Sequence, residues 1–496
     1  MIKMRVLLVK PFFQMFPAEL PVLVNEPLGL EYLASVTRKE HDILIYDCIA
    51  EGYKSYKKII SGDMQLIQIG TDIISIKKKI KTFNPDVVGV TASFFSQMPS
   101  TLSITKAVKD IDNSIITLMG GPYPSSYEEK TLKKDPNLDI MAYGEGEMTF
   151  KHLLDNKFEN LEKIRGIMYR KKNKIVRNKP QNIITNLDEI PFPSRDMVPL
   201  KVYSRFLGPK KRFILKAVDN LIDFPVFGDF ILKYYGDYIY SKSKGPRFPI
   251  SSMITSRSCP NRCTFCAIHN VWGMRYRMRS AENVLNEMEM LSNEYNIREI
   301  SILDDNFTVS KKRAIDICKG IKERKLDMTF QLPSGVYIPT LDRELLTWLK
   351  RAGLTKIYFG IESGNQKILD KVVRKRIDLK QTKKIIKLSK EVGLETNAFF
   401  ILGMPGETKK TMLDTIKFAY KSKLDNARFH IYQPFPGTYL YDYALKRGYI
   451  TKEFSLDKLR VRTPVPVIKT KDFTPNDVLD MKKIAKDMFS KKVQST

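Results

Sequence analysis

Short apolar runs alternate with amphipathic stretches along residues 1–155 of the chain. Short apolar runs are typical of buried strands, and the stretches between them have the three-to-four-residue spacing of helices. This alternation predicts an α/β domain with a doubly wound, Rossmann-like parallel sheet and helices on both faces. The predicted strands are 6–9, 43–46, 87–90, 115–119 and 140–143, and helices are predicted from Gly29, across 73–80 and around 103–108.

Polar residues and glycines follow these predicted strands. Ligands of a parallel sheet bind beyond the carboxyl ends of its strands. A glycine pair lets the backbone approach a flat ligand closely, although it equally suits a tight turn. No dinucleotide or triphosphate loop is present, so those ligands are disfavoured. The strand-end residues are Asp47, Ser93, the turn Gly120, Gly121 and Pro122, and the segment Gly144, Glu145, Gly146 and Glu147.

A second series of strands and helices runs through residues 251–440, with strands at 252–256, 299–303, 329–332, 356–360, 398–402 and 428–432. Repeated βα units predict a partial or full α/β barrel with its active site at the carboxyl ends of the strands. Each polar strand end alone is consistent with a helix cap or turn. Their recurrence at successive strands favours a shared site formed by Asp304, Asp305, Ser334, Glu362, Ser363, Gly403, Glu407 and Gln433.

The remaining segments connect and close these domains. Residues 156–250 are expected to form a linker with an aromatic and basic insertion, in which 227–238 has the apolar spacing of an amphipathic helix. Packing on the protein itself, a substrate lid and an interfacial membrane helix are all consistent with that pattern. Residues 441–496 are expected to form a C-terminal helical segment, with a helix running from Thr474 through Met488.

The net charge is +29, from 84 Lys and Arg against 55 Asp and Glu. Such a charge is consistent with a solvated surface, an anionic membrane or a nucleic acid. A nucleic-acid partner is disfavoured, because lysine is spread over nearly every segment and no dense basic arm or binding motif occurs. No segment has the roughly 18 apolar residues of a membrane span, and no leader sequence or paired cysteine framework is evident, which predicts a cytoplasmic protein.

Three of the five cysteines, Cys259, Cys263 and Cys266, have the spacing CxxxCxxC. Three thiolates can bind three irons of a cubane cluster and leave the fourth iron open to a small molecule. His269 follows at a spacing that would complete a Cys3His zinc site, so zinc remains an alternative on spacing alone. Cys48 and Cys318 stand apart in sequence, so a second cluster is not expected.

The first 155 residues resemble the cobalamin-binding domain of cobalamin-dependent radical S-adenosylmethionine (SAM) enzymes. The resemblance rests on the strand-end residues in their order along the chain, and it implies that Asp47, Ile49, Ser93, Gly120, Gly121, Gly144 and Glu145 contact cobalamin.

The chain departs from the related cobalamin signature DxHxxG, because its histidine position is occupied by Ile49. None of the four histidines falls where that lower axial ligand would lie. The resemblance therefore leads to the hypothesis that cobalt lacks an imidazole on this face. Nitrogen superhyperfine splitting in the paramagnetic resonance spectrum of the cobalt(II) form would contradict it.

Residues 251–440 resemble the radical SAM core, which implies a partial (β/α)6-type TIM barrel. The resemblance rests on the cysteine motif with Phe265, the acidic pair 304–305, and the segments GIESG at 360–364 and LGMPGE at 402–407. It implies that the three cysteines bind a 4Fe-4S cluster whose open iron chelates SAM, and it makes zinc the weaker alternative. It further implies that SAM is contacted by Phe265, Asp304, Asp305, Ser334, Glu362, Ser363, Phe399 and Gly403.

The combined resemblance implies an enzyme with three cofactors, the 4Fe-4S cluster, SAM and cobalamin. The function expected first is a C-methyltransferase, in which a 5′-deoxyadenosyl radical takes hydrogen from an unactivated carbon that then receives methyl from methylcobalamin. The alternative is a related enzyme that forms a ring or another bond without net methylation. A tRNA methylthiotransferase is disfavoured, because the N-terminal domain holds only Cys48 where that class carries three cluster cysteines.

The expected partners are a small-molecule or lipid substrate and a low-potential donor of the flavodoxin or ferredoxin type. The aromatic insertion favours a lipid or isoprenoid substrate over a peptide or a small antibiotic precursor, and it is also consistent with peripheral membrane contact through 197–250.

Overall fold

The structure is a computed structural model that describes residues 3–15, 22–61, 64–127, 130–172, 174–204, 206–207, 247, 249–456, 459 and 465–494. The chain divides into two compact units. The first contains residues 1–252 and 270–273, and the second contains 253–269 and 274–496. The helix predicted across 227–238 lies outside the described residues.

The first unit is built on a seven-stranded sheet. Five strands are parallel, and their apolar residues form cores on both faces with the flanking helices. Two further strands extend one edge in antiparallel pairing. From edge to edge the strands are Lys174–Arg177, Ile167–Lys171, Ile140–Ala142, Ile116–Gly120, Val87–Thr91, Arg5–Lys10 and Asp42–Asp47.

The boundary predicted after residue 155 is too early. The sheet continues through Ile167–Lys171 and Lys174–Arg177, which were expected to belong to a linker. Ile167 and Met168 are fully buried, so this hairpin completes the apolar edge of the sheet. The helices of the unit are Leu28–Thr37, Cys48–Glu51, Ile73–Phe83, Met98–Lys109, Pro122–Ser126, Lys130–Lys134 and Gly146–Asp155.

A small antiparallel sheet lies beside the main one and was not predicted from the sequence. Its strands are Phe13–Met15, Met64–Ile69 and Tyr56–Ser61, in that order. Leu66 and Ile69 are buried, whereas Ile60 is 81% exposed. One face of this sheet therefore packs on the unit and the other meets solvent. A further short pair joins Val22–Leu23 to Phe206–Leu207.

The second unit contains the strands and helices of the predicted partial barrel. Two three-stranded sheets carry parallel pairs, and one large apolar core lies between the strands and the helices. Strand Ile250–Met253 belongs to the first unit except for its last residue. The other strands are Ser256–Arg257, Arg277–Met278, Glu299–Ile302, Thr329–Gln331, Lys356–Glu362, Glu395–Leu402 and Asn426–Ile431. The helices are Ala281–Tyr295, Lys311–Glu323, Arg343–Arg351, Gln366–Ile368, Leu379–Glu391, Lys409–Lys421, Tyr439–Lys446 and Pro475–Gln494, and the short helix Ile268–Trp272 has its first two residues in this unit.

Side-chain caps fix where the major helices of this unit begin. A side-chain oxygen at the N-cap accepts a hydrogen bond from a backbone N–H that has no partner inside the helix. These caps hold each helix start next to the strand end that precedes it. The capping residues are Ser280, Ser310, Asp342, Asp378, Thr408 and Thr438.

Strand Lys356–Glu362 shows how the two faces of the barrel wall differ. Its side chains alternate between half-buried and buried along the strand. Ile357, Phe359 and Ile361 are fully buried in the core, so Tyr358 and Glu362 face the opposite side.

Within the described residues, no helix is both long and apolar enough to cross a membrane.

Candidate active site

The cysteine loop follows strand Ser256–Arg257 and is fixed by hydrogen bonds from Thr264. The Thr264 N–H donates to Val373 O at 3.0 Å, and its hydroxyl donates to Val372 O at 2.6 Å. Thr264 O accepts from the Leu440 N–H at 2.9 Å. The loop is therefore held by backbone groups from two distant parts of the unit.

The three thiols lie close enough to influence one another. Burial is the main cause that raises the pKa of Cys263 to about 12; Lys375 acts in the opposite direction, and Glu362 and the other two cysteines act in the same direction as burial. The Asn306 side chain donates to Cys259 Sγ at 3.0 Å, a contact suited to a sulfur that carries charge. Metal binding removes thiol protons, so these thiols are suited to a bound metal cluster rather than to free thiolate chemistry.

The geometry does not favour the zinc alternative. Thiolate sulfurs on one tetrahedral zinc lie about 3.8 Å apart, given Zn–S bonds of about 2.3 Å. In the described part of the chain, the three potential ligands within 4.8 Å of one another are Glu40, His41 and Asp155, not the cysteines. His269 contacts Asn261 O through Nε2 at 2.8 Å and Ser258 Oγ through Nδ1 at 3.3 Å. Both ring nitrogens are thus engaged within the loop.

The predicted acidic pair divides into a buried residue and one near the cysteines. Asp304 is 2% exposed and accepts hydrogen bonds from the N–H and hydroxyl of Thr255 and from the Ser256 hydroxyl. These contacts join strand Glu299–Ile302 to the segment before the cysteines. Burial, with a smaller contribution from Asp304, raises the pKa of Asp305 to about 7. A cationic ligand group beside Asp305 would stabilise its ionised form.

Glu362 is paired with Lys375, a residue that no sequence motif indicates. Lys375 Nζ lies 3.0 Å from Glu362 Oε1 and also donates to Gly360 O. Lys375 stands in the run 371–376, where basic residues predominate, and such a run is usually solvated. Its position beside the cysteine loop depends on the turn before it, for which the sequence has no recognised motif.

The other predicted SAM contacts have different surroundings. Ser363 is fully buried and hydrogen-bonded to Thr415, whereas Ser334 lies in an exposed turn. Phe399 stacks on Tyr358 with ring centroids 5.7 Å apart, on the side of the wall opposite the core. Phe265 is half-buried against the core beside the cysteines.

Gly403 lies in a turn that is closed by a buried carboxyl group. The N–H groups of Gly403 and Met404 donate to Glu407 Oε2, each at 2.9 Å. Burial raises the pKa of Glu407 to about 8. Gly403 has a φ of +84°, and a Cβ there would approach Val478 of the last helix to 2.9 Å. The turn is thus packed directly beneath that helix.

At a strand end of the first unit, Asp47 forms hydrogen bonds and an ion pair with neighbouring residues of the protein. Its carboxylate accepts from the N–H groups of Ile49 and Ala50, lies 3.0 Å from Lys10 Nζ and accepts from the Tyr203 hydroxyl. Asp47 is 3% exposed and Ile49 is fully buried. Asp47 and Ile49 therefore both belong to the buried interior at the end of the strand.

One of the glycines at this end of the sheet has free space where a side chain would be. A Cβ at Gly120 would have no atom within 4 Å, whereas one at Gly121, with a φ of +109°, would meet Ala92 O at 2.8 Å. Gly144 is also nearly open, with a nearest contact of 3.9 Å. Ser93 is half-buried beside the exposed Phe94, and Glu145 Oε2 accepts from the Ile184 N–H. Gly120 and Gly144 leave space that suits a flat cofactor.

The paired variants Gly120→Ala and Gly121→Ala test whether this space belongs to cobalamin. Gly120→Ala is expected to unfold like the parent protein and to bind cobalamin about tenfold more weakly, because its methyl group occupies ligand space. Gly121→Ala is expected to lose about 1–3 kcal/mol of stability from backbone strain. Denaturant unfolding and absorbance titration with hydroxocobalamin measure the two effects. Unchanged cobalamin affinity in Gly120→Ala would contradict the assignment.

Two family models match the chain. The radical SAM superfamily model matches residues 253–419, and the B12 binding domain model matches residues 22–154. The matches fall in the second and first units respectively. They confirm the two domain types that the sequence motifs predicted.

The chain is also similar in sequence to two known methyltransferases over nearly its whole length. It is 34% identical to the uncharacterized methyltransferase PH0819 of Pyrococcus horikoshii, over 96% of this chain and 90% of that protein. It is 30% identical to the cytidylyl-2-hydroxyethylphosphonate methyltransferase of Streptomyces wedmorensis, over 92% of this chain and 84% of that protein.

A solved structure confirms the predicted fold class. The radical SAM methyltransferase TsrM from Kitasatospora setae, with cobalamin and a [4Fe-4S] cluster bound, is similar with a TM-score of 0.64 at 18% identity. The match covers 90% of this chain and 75% of that chain. The α/β architecture, with a Rossmann-like domain followed by a partial barrel, is therefore shared.

Proposed function

Since this chain belongs to the cobalamin-dependent radical SAM methyltransferases, we propose that it transfers a methyl group to an unactivated carbon of a small molecule or lipid. The observation that carries the proposal is the near-full-length similarity to methyltransferases, in a chain that has both the three-cysteine loop and the open glycine turn. The cofactors of this family are a 4Fe-4S cluster, SAM and cobalamin.

The residues of the second unit have distinct proposed roles. Cys259, Cys263 and Cys266 hold the cluster, and Asp305 receives the cationic amino group of SAM. Asp304 has a structural role at the end of strand Glu299–Ile302, because its oxygens already accept hydrogen bonds from Thr255 and Ser256. When bound, the cluster supplies the electron that cleaves SAM, and cobalamin supplies the methyl group.

The inner side of the barrel wall supports a substrate with an apolar body and an anionic group. Tyr358 and Phe399 are stacked there, and Phe399 lies 6.0 Å from the His430 ring. Arg428 is the strand partner of Phe399, is exposed, and forms no ion pair with any described residue. Aromatic side chains suit an apolar substrate surface, and a guanidinium suits a carboxylate or phosphate.

Incubation with methyl-labelled SAM, a low-potential reductant and cell extract tests the reaction. Label in an extractable product, together with 5′-deoxyadenosine, is expected for methylation. 5′-Deoxyadenosine without transferred label would instead support ring formation or another bond-forming reaction in the same fold. Absence of both products from protein that carries its cofactors would contradict an enzymatic role.

The proposal includes an electron donor of the flavodoxin or ferredoxin type, because cluster reduction needs a low potential. For a lipid substrate, it also includes peripheral membrane contact through 197–250, most of which lies outside the described residues. Flotation of the full chain with anionic vesicles tests that contact, and failure to float would remove it.

A further inference from the structure

A lysine is held beside the cysteine loop by contacts with the strand end. Lys375 Nζ donates to Glu362 Oε1 at 3.0 Å and to Gly360 O. The two paired side chains are only 14% and 12% exposed. Little water therefore screens their charges from the surroundings.

An irregular turn brings this lysine into place. The helix Gln366–Ile368 continues as a π-helical turn, Leu369–Val373, and Arg374 then adopts a left-handed conformation with a φ of +58°. The Lys375 N–H returns to Leu369 O at 3.1 Å. Single π-helical turns occur frequently at functional sites.

The same turn holds the cysteine loop. Val372 and Val373 supply the carbonyl oxygens that bind the hydroxyl and N–H of Thr264, between the second and third cysteines. Lys375 follows Val373 by two residues, so one rigid turn fixes both the ammonium and the loop. The distance from Lys375 to the cysteines is thus set by backbone contacts and not by a flexible side chain alone.

Charge interactions agree with this proximity. The Lys375 ammonium and the Cys263 thiol are close enough to interact electrostatically. The Glu362 carboxylate, 3.0 Å from Lys375 Nζ, stabilises the charged form of the lysine. The lysine therefore stays cationic beside the cysteines.

We propose that Lys375 is a positioning residue whose fixed ammonium raises the reduction potential of the cluster held by Cys259, Cys263 and Cys266. Reduction adds one negative charge to the cluster, and a nearby buried cation stabilises the more negative state. Glu362 holds the ammonium in place and partly offsets it. The inference rests on the proposed function for the cluster, but its test requires neither substrate nor turnover.

The test compares Lys375→Met with the conservative variant Lys375→Arg and the control Lys371→Met. Lys371 is exposed and belongs to the same turn, so its replacement removes an equal charge without removing the contacts with Glu362 and Gly360. The full-length proteins are reconstituted anaerobically with iron and sulfide, and their iron content is measured. The reduced cluster is then followed by paramagnetic resonance during a redox titration without SAM.

Lys375→Met is expected to keep its iron and to show about a tenfold lower ratio of reduced to oxidised cluster at a fixed potential, a shift of about 59 mV for one electron. Lys375→Arg is expected to restore most of the parent potential, and Lys371→Met to match it. A parent-like potential in Lys375→Met with full iron content would overturn the proposal.

If Lys375→Met fails to take up iron, Lys375→Gln replaces it, because glutamine keeps a donor without the charge. A parent-like potential in that variant, or loss of iron from it as well, would also overturn the proposal, since the lysine would then be structural. Failure of the parent protein to bind a cluster would instead contradict the proposed function itself.

Discussion

Replacing Cys263 by alanine is expected to abolish the cleavage of SAM to 5′-deoxyadenosine while leaving cobalamin bound. Alanine offers no ligand, and two thiolates cannot replace three around an open-iron cluster. The loss of activity should exceed the 10- to 100-fold typical of changes one shell away from a metal. The loop itself should persist, because Thr264 fixes it through backbone groups.

Anaerobic assay of 5′-deoxyadenosine and absorbance titration with cobalamin measure the two parts of this prediction. Cys318→Ala is the matched control, because Cys318 is a fully buried thiol in the helix Lys311–Glu323, and burial raises its pKa to about 12. It should retain both properties. Surviving cleavage in Cys263→Ala, or loss of its cobalamin, would contradict the division of roles between the two units.

Replacing Arg195 by methionine is expected to lower the free energy of unfolding by about 3–5 kcal/mol. The Arg195 side chain is fully buried, and its Nη1 lies 2.9 Å from Glu26 and 3.1 Å from Glu31. Its Nη2 donates to Ser252 O at 2.7 Å. Without the guanidinium, two buried carboxylates lose their shared cation, and such charges cost far more than exposed ones.

Denaturant unfolding with and without the substitution measures this loss. Arg38→Ala is a suitable control, because Arg38 forms a bidentate pair with Asp196 at the surface and should contribute about 0–1 kcal/mol. The triple variant Glu26→Gln, Glu31→Gln, Arg195→Met should recover part of the loss, since it removes the charges together. A similar small effect for Arg195→Met and Arg38→Ala would show that the buried network contributes little.

The regular elements were predictable because their burial is periodic. The helix predicted across 73–80 begins at the observed residue, the observed helix ends three residues later, at Phe83, and strand Lys356–Glu362 differs from its prediction only at one end. The small antiparallel sheet was missed because its strand Tyr56–Ser61 alternates poorly and includes two lysines. Local patterns indicate which residues are apolar, but they do not identify the partner across a sheet.

The sequence motifs indicate polar residues at the strand ends, but they do not reveal the contacts that these residues make within the protein. Asp47, Asp304 and Ser363 follow strands where ligand contacts were predicted, yet each is engaged by neighbours within its own unit. A polar residue after a strand has the same sequence signal whether it faces a ligand or caps a turn. Lys375 was missed for the opposite reason, because a basic run carries no signal of burial.

The attachment of Thr264 has a consequence for the order in which the protein matures during synthesis. Its hydroxyl bonds to a carbonyl 108 residues later in the chain. At a translation rate of about 5–20 residues per second, the cysteines precede that partner by about 5–20 s. Iron delivery should therefore follow completion of the barrel wall, and newly made cysteines must be kept reduced until then.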